Sequence, residues 1–310
     1  MASEIIAVAG GSGKLGRAIV DQLNAHGGYK VFILGREANT SKSKEIGAQI
    51  LAVDYSNPDA LVATLETNSI DTVISTLGST FGIDPELALI AAADKSKVTR
   101  RYIPSLWGIR YTPEVSALLP IGQLKRSILD TLAASGLEYT SVINGLFMDY
   151  YGLPHVRSYL HPFPLAIDVA SNTAGIPGSG DVPVTFTYTF DIGRFAALLL
   201  QKPQWERESV TVGDKLTWNE FLAVAEEVKG VKFDVTYDKL ETLKQGKVTE
   251  LPGHVVLYPF FPKEALQGLA AVFGLLMEEG HFDLGGEVGG GEFETKKVRE
   301  LVTEAWSGKA

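Results

Sequence analysis

The sequence predicts an α/β protein with a doubly wound parallel sheet and a smaller α+β C-terminal domain. Three observations support this prediction. Short apolar runs alternate with helical patterns through the first half of the chain, the first apolar run leads directly into a glycine-rich turn and a helix, and the alternation stops after residue 147. Such a sheet binds its ligands at the carboxyl ends of the strands.

The alternating elements can be placed along the first half of the chain. The candidate strands cover residues 5–9, 30–34, 49–53, 72–75, 101–103 and 139–143, and the candidate helices lie near 15–25, 58–66, 84–93 and 119–134. Asn57 and Asp84 each precede a proline, which is typical of an N-cap followed by proline at the first helical position. The short connections favour helices on both faces of a parallel sheet.

A glycine-rich turn with the pattern G-x-x-G-x-x-G follows the first strand and opens the first helix. A backbone without Cβ atoms lets a pyrophosphate approach, and the helix N-terminus offers free N–H groups and a positive dipole end. This context predicts a dinucleotide-binding turn, with a tight turn in an ordinary α/β protein as the alternative. We expect cofactor contacts at Gly10, Ser12, Gly13, Lys14, Leu15 and Gly16.

Arg36 stands at the end of the second strand, twenty positions after Gly16. A site specific for NAD places a carboxylate near this position to hold the ribose 2′-hydroxyl. A guanidinium suits a 2′-phosphate instead, and Lys42 in the following Ser/Thr-rich segment adds positive charge. The pattern favours NADP(H) over NAD(H), with an ordinary surface cation as the alternative reading of Arg36.

The composition narrows the classes of function. The chain has 310 residues, of which 45% are hydrophobic and 21% charged, and a net charge of −9, with no basic stripe that would indicate a nucleic-acid or anionic-membrane partner. Cysteine is absent, and the five histidines show no metal-ligand spacing. The first residues lack the pattern of a signal peptide, so we expect a cytoplasmic protein without a metal.

The region after residue 147 has a different character. Residues 148–182 are rich in Tyr, His, Pro and Gly. A strand near 184–189, a helix with Asp191 as its N-cap, and a helix over 218–229 with Thr217 as its N-cap follow. We expect one domain over residues 1–147, to which 183–215 return, and a second region formed by 148–182 and 216–310.

The ends of the later strands carry further candidates, because the carboxyl ends of parallel strands meet at one edge of the sheet. Candidate cofactor contacts there are Thr76, Leu77, Gly78, Pro104, Ser105, Asn144 and Phe147. Candidate walls of a substrate pocket are Trp107, Tyr150, Tyr151, His155 and Phe163. Plain packing is the alternative for each of these five side chains.

Lys125 interrupts an apolar helix face, because Ile121, Ile128 and Leu132 have the spacing of one face with it. Burial lowers the pKa of a lysine ammonium, which suits a general acid or base. The alternative is a lysine whose stem packs while its head reaches water. The chain has no Tyr-x-x-x-Lys motif, so the phenol that short-chain dehydrogenases use in alcohol–ketone redox is missing.

Together these features resemble the NmrA-like, isoflavone-reductase-like branch of the atypical short-chain dehydrogenases. The shared features are the glycine turn, Arg36, Asp54 after the third strand, Pro104-Ser105-x-x-Gly108, Lys125 without its tyrosine, and the run Gly136-Leu137-Glu138-Tyr139-Thr140 that leads to Asn144-Gly145-x-Phe147. In the plant phenylpropanoid reductases of this branch, a lysine precedes the tyrosine of a similar run by fourteen residues, as Lys125 precedes Tyr139. The likeness covers roughly residues 4–230.

The resemblance implies a Rossmann-type domain that binds NADPH, with Asp54 among the cofactor contacts, and a smaller domain that closes over a small-molecule substrate. It implies hydride transfer to a conjugated, quinone-methide-like or enone carbon, with Lys125 as the catalytic general acid or base. Two departures leave the substrate open. The loop after strand five reads Ser105-Leu106-Trp107-Gly108, where the plant reductases have an acidic residue and a phenylalanine, and residues 150–155 have no counterpart.

Three functions remain open at this point. The first is an NADPH-dependent reductase of a conjugated or aromatic metabolite, which Lys125 favours. The second is a regulatory protein that senses NADP(H), as NmrA does, and the third is a non-redox isomerase or lyase on the same fold, since a fold by itself does not determine a function.

Overall fold

The computed structural model describes residues 3–79, 82–286 and 289–309. Its strands are β1 (Ile5–Ala9), β2 (Lys30–Gly35), β3 (Gln49–Ala52), β4 (Thr72–Ser75), β5 (Arg101–Ile103), β6 (Glu138–Tyr139), β7 (Ser141–Ile143), β8 (Leu146–Phe147), β9 (Ile167–Asp168), β10 (Thr173–Pro177), β11 (Val184–Thr187), β12 (Glu208–Val210), β13 (Asp214–Leu216) and β14 (Asp234–Asp238). Its α-helices are α1 (Lys14–His26), α2 (Thr40–Ile46), α3 (Pro58–Thr67), α4 (Asp84–Lys95), α5 (Pro113–Leu118), α6 (Gly122–Ala134), α7 (Thr189–Gln201), α8 (Trp218–Lys229), α9 (Leu240–Lys244), α10 (Pro252–Leu257), α11 (Lys263–Glu278) and α12 (Val298–Trp306).

The predicted doubly wound parallel sheet is confirmed. Six parallel strands lie in the order β3-β2-β1-β4-β5-β6, so the chain reverses its direction of winding between β1 and β4. Alternate residues of β1 enter two separate hydrophobic clusters: Ile6 and Val8 pack on one face, and Ala7 and Ala9 on the other. The reversal creates the crevice in which sheets of this kind bind ligands.

Several helix boundaries follow from local signals in the sequence. Asn57 caps α3 as predicted, because its side chain accepts the N–H of Ala60 at 3.1 Å. The prediction for Asp84 was wrong: α4 begins at Asp84 itself, and Ile83 occupies the N-cap position. Thr217 and Glu220 form the capping box of α8.

The predicted helix over residues 119–134 is two helices, α5 and α6. Leu119 ends α5 with ψ of 136°, and α6 starts at Gly122. The residue between them that breaks the helix is Pro120, which lacks an N–H and keeps the preceding residue out of the helical region.

The predicted strand over residues 139–143 also divides, at Thr140. Before Thr140, β6 pairs with β5; after it, β7 pairs with β12, which comes from residues far along the chain. Thr140 joins the two pairings, since its N–H donates to the Tyr102 carbonyl and its hydroxyl bonds Ser209 at 2.8 Å.

The C-terminal half contacts the sheet domain in several places. Helix α7 packs along α1, and β8 pairs with β11, which pairs with β13. The prediction that Asp191 caps α7 was wrong: the helix begins at Thr189, and the Asp191 carboxylate accepts the N–H of Lys296 at 2.8 Å instead. Asp21 on α1 accepts hydrogen bonds from Arg157 and Tyr159, both at 2.7 Å.

A second core lies beneath the small sheet β9-β10-β14 and the helices α8, α11 and α12. Its centre is an aromatic cluster of Tyr151, Phe186, Trp218 and Phe221 with ring centroids 4.8–5.9 Å apart. Within the described ranges, no helix combines the length and apolar character that crossing a bilayer requires.

A pair of glycine substitutions tests the junction of the two halves. Gly145 has φ of 70°, and a Cβ there would overlap the carbonyl oxygen of Thr185. Gly145→Ala should lower the free energy of unfolding by about 2–5 kcal/mol, the sum of left-handed strain and overpacking. Gly230 has nearly the same φ, 66°, but open space around it, so Gly230→Ala should cost only about 1–2 kcal/mol. Urea unfolding of both variants measures the difference; equal costs would contradict the overlap.

Candidate active site

The turn between β1 and α1 depends on glycine at two positions. Gly10 has φ of 76°, in the left-handed region. A Cβ on Gly16 would stand 2.5 Å from both the carbonyl oxygen of Gly10 and Oγ1 of Thr76. Thr76 is itself fixed, because its hydroxyl and its N–H donate to the Ala9 carbonyl at 2.7 and 2.9 Å. Helix α1 therefore starts directly against the ends of β1 and β4.

Gly13 lies on the open side of the same turn. It is exposed and forms the N-cap of α1, no side chain caps this helix end, and a Cβ on Gly13 would meet no atom within 4 Å. Ser12 is half-buried, Lys14 is exposed with φ of 50°, and Leu15 packs into the core below. The glycine turn over residues 10–13 and the N-terminus of α1 together form a cradle. This cradle fits a pyrophosphate, because the first N–H groups of the helix have no side-chain partner.

Arg36 follows β2 directly and is exposed. Lys42 lies in the first turn of α2, where its N–H donates to the cap residue Asn39 at 2.8 Å. Asp54, after β3, accepts the N–H and the hydroxyl of Ser56 at 2.9 and 2.6 Å, and these bonds lower the pKa of its carboxyl. All three lie beyond the carboxyl ends of neighbouring strands, as a ligand along this edge requires.

The segments after β4 and β5 are bonded to one another. The Ser105 hydroxyl donates to the Leu77 carbonyl at 2.9 Å, and Nε1 of Trp107 donates to the Ser75 carbonyl at 2.9 Å. Gly78 is exposed beside Leu77, while Pro104 is buried. These bonds hold the predicted cofactor contacts of the two loops in one place.

Asn144 follows β7 directly, and Phe147 is the last residue of β8. Asn144 is completely buried; its Nδ2 donates to the Gly145 carbonyl at 3.1 Å, and its Oδ1 has no hydrogen-bond partner among the described residues. Phe147 is half-buried and meets Tyr150 edge to face at 5.8 Å. The structure thus brings Phe147 to the wall of a cavity, whereas Asn144 is buried and does not line that cavity.

Lys125 is buried in α6, with 6% of its surface exposed, together with Ile128 and Leu132 on the same face. Its Nζ donates to the Ser105 carbonyl at 2.5 Å. Burial lowers the pKa of the Lys125 ammonium, and the charge of Glu86 opposes this shift. The lysine is therefore not one whose head extends into bulk water.

Glu86, in the first turn of α4, is the partner of this lysine that the sequence did not indicate. It is 3% exposed and accepts hydrogen bonds from the hydroxyls of Ser75 and Tyr102 and from the Ser105 N–H, the last two at 3.2 and 3.1 Å. Burial raises the pKa of the Glu86 carboxyl, and the bonds from Ser75 and Ser105 and the charge of Lys125 oppose that rise. Glu86 and Lys125 line one small cavity.

An aromatic cavity lies beside this cluster. Its walls are Trp107, Gly108, Ile109, Tyr111, Gly145, Leu146, Phe147, Tyr150, Phe163, Leu165, Phe273 and Phe282. Trp107, Tyr150 and Phe163 were predicted as pocket walls and line this cavity. Tyr111, Phe273 and Phe282 were not predicted, because they come from segments too far apart in sequence for any local pattern to bring them together. The segment after β5 borders both cavities, since Ser105 lines the small one and Trp107 the aromatic one.

The structure does not bring Tyr151 or His155 into the aromatic cavity. Tyr151 is 2% exposed, packs among Phe186, Trp218 and Phe221, and borders a neighbouring groove instead. His155 is exposed at the surface and meets the Trp306 ring edge to face at 4.9 Å. In the described part of the chain, no group of three acidic, His or Cys side chains could hold a metal ion.

Comparison with known proteins places the chain in a family. The NmrA-like family matches residues 2–299, and the chain belongs to it. The chain is 36% identical to Oxidoreductase BOA1 of Botryotinia fuckeliana, over 74% of this chain and 77% of that protein. It is 26% identical to Isoflavone reductase homolog P3 of Arabidopsis thaliana, over 81% and 84% of the two chains.

A solved structure shares the fold. The complex of leucoanthocyanidin reductase from Vitis vinifera with NADPH superposes with a TM-score of 0.71 at 19% identity, over 97% of this chain and 98% of that one. The predicted resemblance to the NmrA-like, isoflavone-reductase-like group is confirmed, and the names of these proteins agree with the predicted class of enzyme and cofactor. The roles of individual residues, and the domain boundaries, stay predictions.

Substitution of Gly13 separates a binding role of the turn from a structural one. Gly13→Val places a branched side chain in the open cradle without striking a neighbour, so the thermal unfolding temperature should stay near that of the wild type, while NADPH binding is lost. Circular dichroism melting and fluorescence titration measure the two effects. A folded variant that binds NADPH normally would show that the turn is structural only.

Proposed function

We propose that the protein is an NADPH-dependent reductase of a small conjugated or aromatic metabolite, with Lys125 as its general acid or base. The observation that carries the proposal is the burial of Lys125 at the cofactor edge of the sheet, bonded to the Ser105 carbonyl at 2.5 Å. A lysine held there with a lowered pKa exchanges its proton at a lower pH than a free lysine does, which suits general acid–base catalysis. Burial of this ammonium costs free energy, which favours a role in proton transfer over a purely regulatory role.

The cofactor half of the proposal rests on the cradle. The glycine turn and the N-terminus of α1 would hold the pyrophosphate, and Arg36 and Lys42 would face a 2′-phosphate. Bound NADPH supplies a hydride for a conjugated carbon. The protein's own contribution is to fix the cofactor along the ends of β1, β4 and β5 and to exclude water from the reacting edge.

The substrate half rests on the aromatic cavity. Seven of its wall residues are aromatic and two are glycines, so the walls present flat apolar surfaces that suit a planar ring system better than a charged metabolite. Lys125 would give a proton to, or take one from, a phenol or carbonyl oxygen of that ring system. Because no Tyr-x-x-x-Lys motif exists in the chain, Lys125 performs this step without the tyrosine that such a motif would place one helical turn before it.

Cofactor choice tests Arg36. Wild type should bind NADPH more tightly than NADH by about 1.5–3 kcal/mol, the range of a charge-assisted hydrogen bond, and Arg36→Ala should remove most of that preference. Lys97→Ala, which removes an exposed cation at the opposite edge of the sheet, should leave the preference unchanged. Fluorescence titration with NADPH and with NADH measures this preference. Equal affinity of the wild type for the two cofactors would refute the role of Arg36 in binding a 2′-phosphate.

Turnover tests Lys125. A screen of NADPH oxidation with quinones, enones and phenolic metabolites should identify a substrate class. With such a substrate, Lys125→Ala should keep NADPH affinity within a few fold and lower kcat by about 10²–10⁴, the usual contribution of general acid–base catalysis. The kcat of wild type should show an ionisation below about 10.4, the value of a free lysine, because burial disfavours the ammonium. Full activity of the alanine variant would contradict the role.

A further inference from the structure

We propose that Glu86 is the positioning residue of Lys125: as a buried carboxylate it holds the backbone that Lys125 binds and keeps the lysine in its ammonium form. The inference rests on the proposed role of Lys125 and adds to it a second ionised group. Both oxygens of Glu86 already accept hydrogen bonds from neighbouring residues, so it acts through Ser105 and through its charge, and it does not contact the substrate.

The first argument is geometric. Glu86 accepts the N–H of Ser105 at 3.1 Å, and the carbonyl of the same residue accepts Nζ of Lys125 at 2.5 Å. Ser105 is therefore held between the two charged groups, one at each of its backbone polar atoms. A shift of the Glu86 carboxyl would displace the acceptor of the lysine ammonium.

The second argument concerns the ionisation state of Glu86. Three donors converge on its two oxygens: the hydroxyls of Ser75 and Tyr102 and the N–H of Ser105. Burial raises the pKa of the Glu86 carboxyl, and donors that point at both of its oxygens oppose that rise and favour the carboxylate. A buried carboxylate also needs a nearby positive charge, and Lys125, which lines the same cavity, supplies it.

The other titratable groups around the pair do not provide that charge. Tyr102 and Tyr55 face Glu86, and burial raises the pKa of both phenols, so they remain neutral at neutral pH. Asp84 on α4 and Glu114 on α5 are exposed to solvent, which screens their charges. Glu86 is thus the carboxylate whose field acts on Lys125.

A direct measurement of the lysine pKa tests the proposal without any substrate. Lysines labelled with ¹³C at Cε are titrated by NMR in the full-length protein, with and without NADP⁺, and Lys125→Met identifies the signal of Lys125. Glu86→Gln keeps the shape of the side chain and removes its charge. It should lower the pKa of Lys125 by about one pH unit, the lower end of the range for the loss of a nearby opposite charge.

Asp84→Asn is the matched control, because it removes a carboxylate from the same first turn of α4 at an exposed position. It should leave the pKa of Lys125 within about 0.3 pH unit of wild type. An unchanged Lys125 pKa in Glu86→Gln, or an equal fall in both variants, would overturn the proposal.

The reciprocal titration covers the case in which Glu86→Gln does not fold. In Lys125→Met, with glutamates labelled at the carboxyl carbon, the pKa of Glu86 should rise by the same amount as the lysine pKa falls in the first experiment, because the coupling is mutual. A Glu86 pKa that is the same with Lys125 and with methionine would overturn the pairing.

The pH profile of kcat separates this proposal from the proposed function. Suppose that NADPH is oxidised, and that the ionisation of kcat moves to lower pH in Glu86→Gln but not in Asp84→Asn. The proposed reductase and the pairing of Glu86 with Lys125 are then both supported. If turnover occurs and the two profiles coincide with wild type, the pairing fails and the reductase remains. If no compound is reduced, the proposed reductase fails, while the NMR titrations still decide whether Glu86 controls Lys125.

Discussion

Helix α1 can start where it does only because Gly16 has no side chain. The carbonyl of Gly10 and the hydroxyl of Thr76 occupy the space of its missing Cβ, and Thr76 is bonded to the end of β1. This contact joins β1, β4 and α1 at one point. The helix N-terminus, the crevice where the sheet reverses its winding, and the position of the loop that carries Leu77 all follow from it.

The cluster of Glu86, Ser105 and Lys125 is a second constraint on the same edge of the sheet, and here the constraint is the burial of charge. Two buried ionisable groups cost several kcal/mol of desolvation unless hydrogen bonds and mutual attraction compensate them, and such pairs seldom raise stability over an apolar alternative. Here every oxygen of Glu86 has a donor and the ammonium of Lys125 has a carbonyl. The arrangement fixes the loop after β5 against that after β4, so the same bonds that satisfy the charges also shape the edge of the site.

The C-terminal half provides most of the far wall of the aromatic cavity. Four of its wall residues come from different kinds of segment: Tyr150 from a short 3₁₀ helix, Phe163 from an irregular segment, Phe273 from helix α11 and Phe282 from the residues after that helix. They share no motif, because side-chain packing and not a local hydrogen-bond pattern places them. Similarity to relatives therefore identifies the family of the chain, because the family features are local motifs. It does not identify the substrate, because the cavity walls come from distant segments.

The sequence by itself determined the parallel sheet, the glycine turn and the apolar face that carries Lys125, since each depends on local periodicity or on a residue that no other can replace. It failed at 119–134 and at 139–143, where Pro120 and a change of strand partner divide predicted elements. Tertiary structure alone decided that Glu86 is buried beside Lys125, and that Tyr151 and His155 lie away from the aromatic cavity. Burial and pairing between distant segments leave no period in the sequence, because they arise only when helices and strands pack.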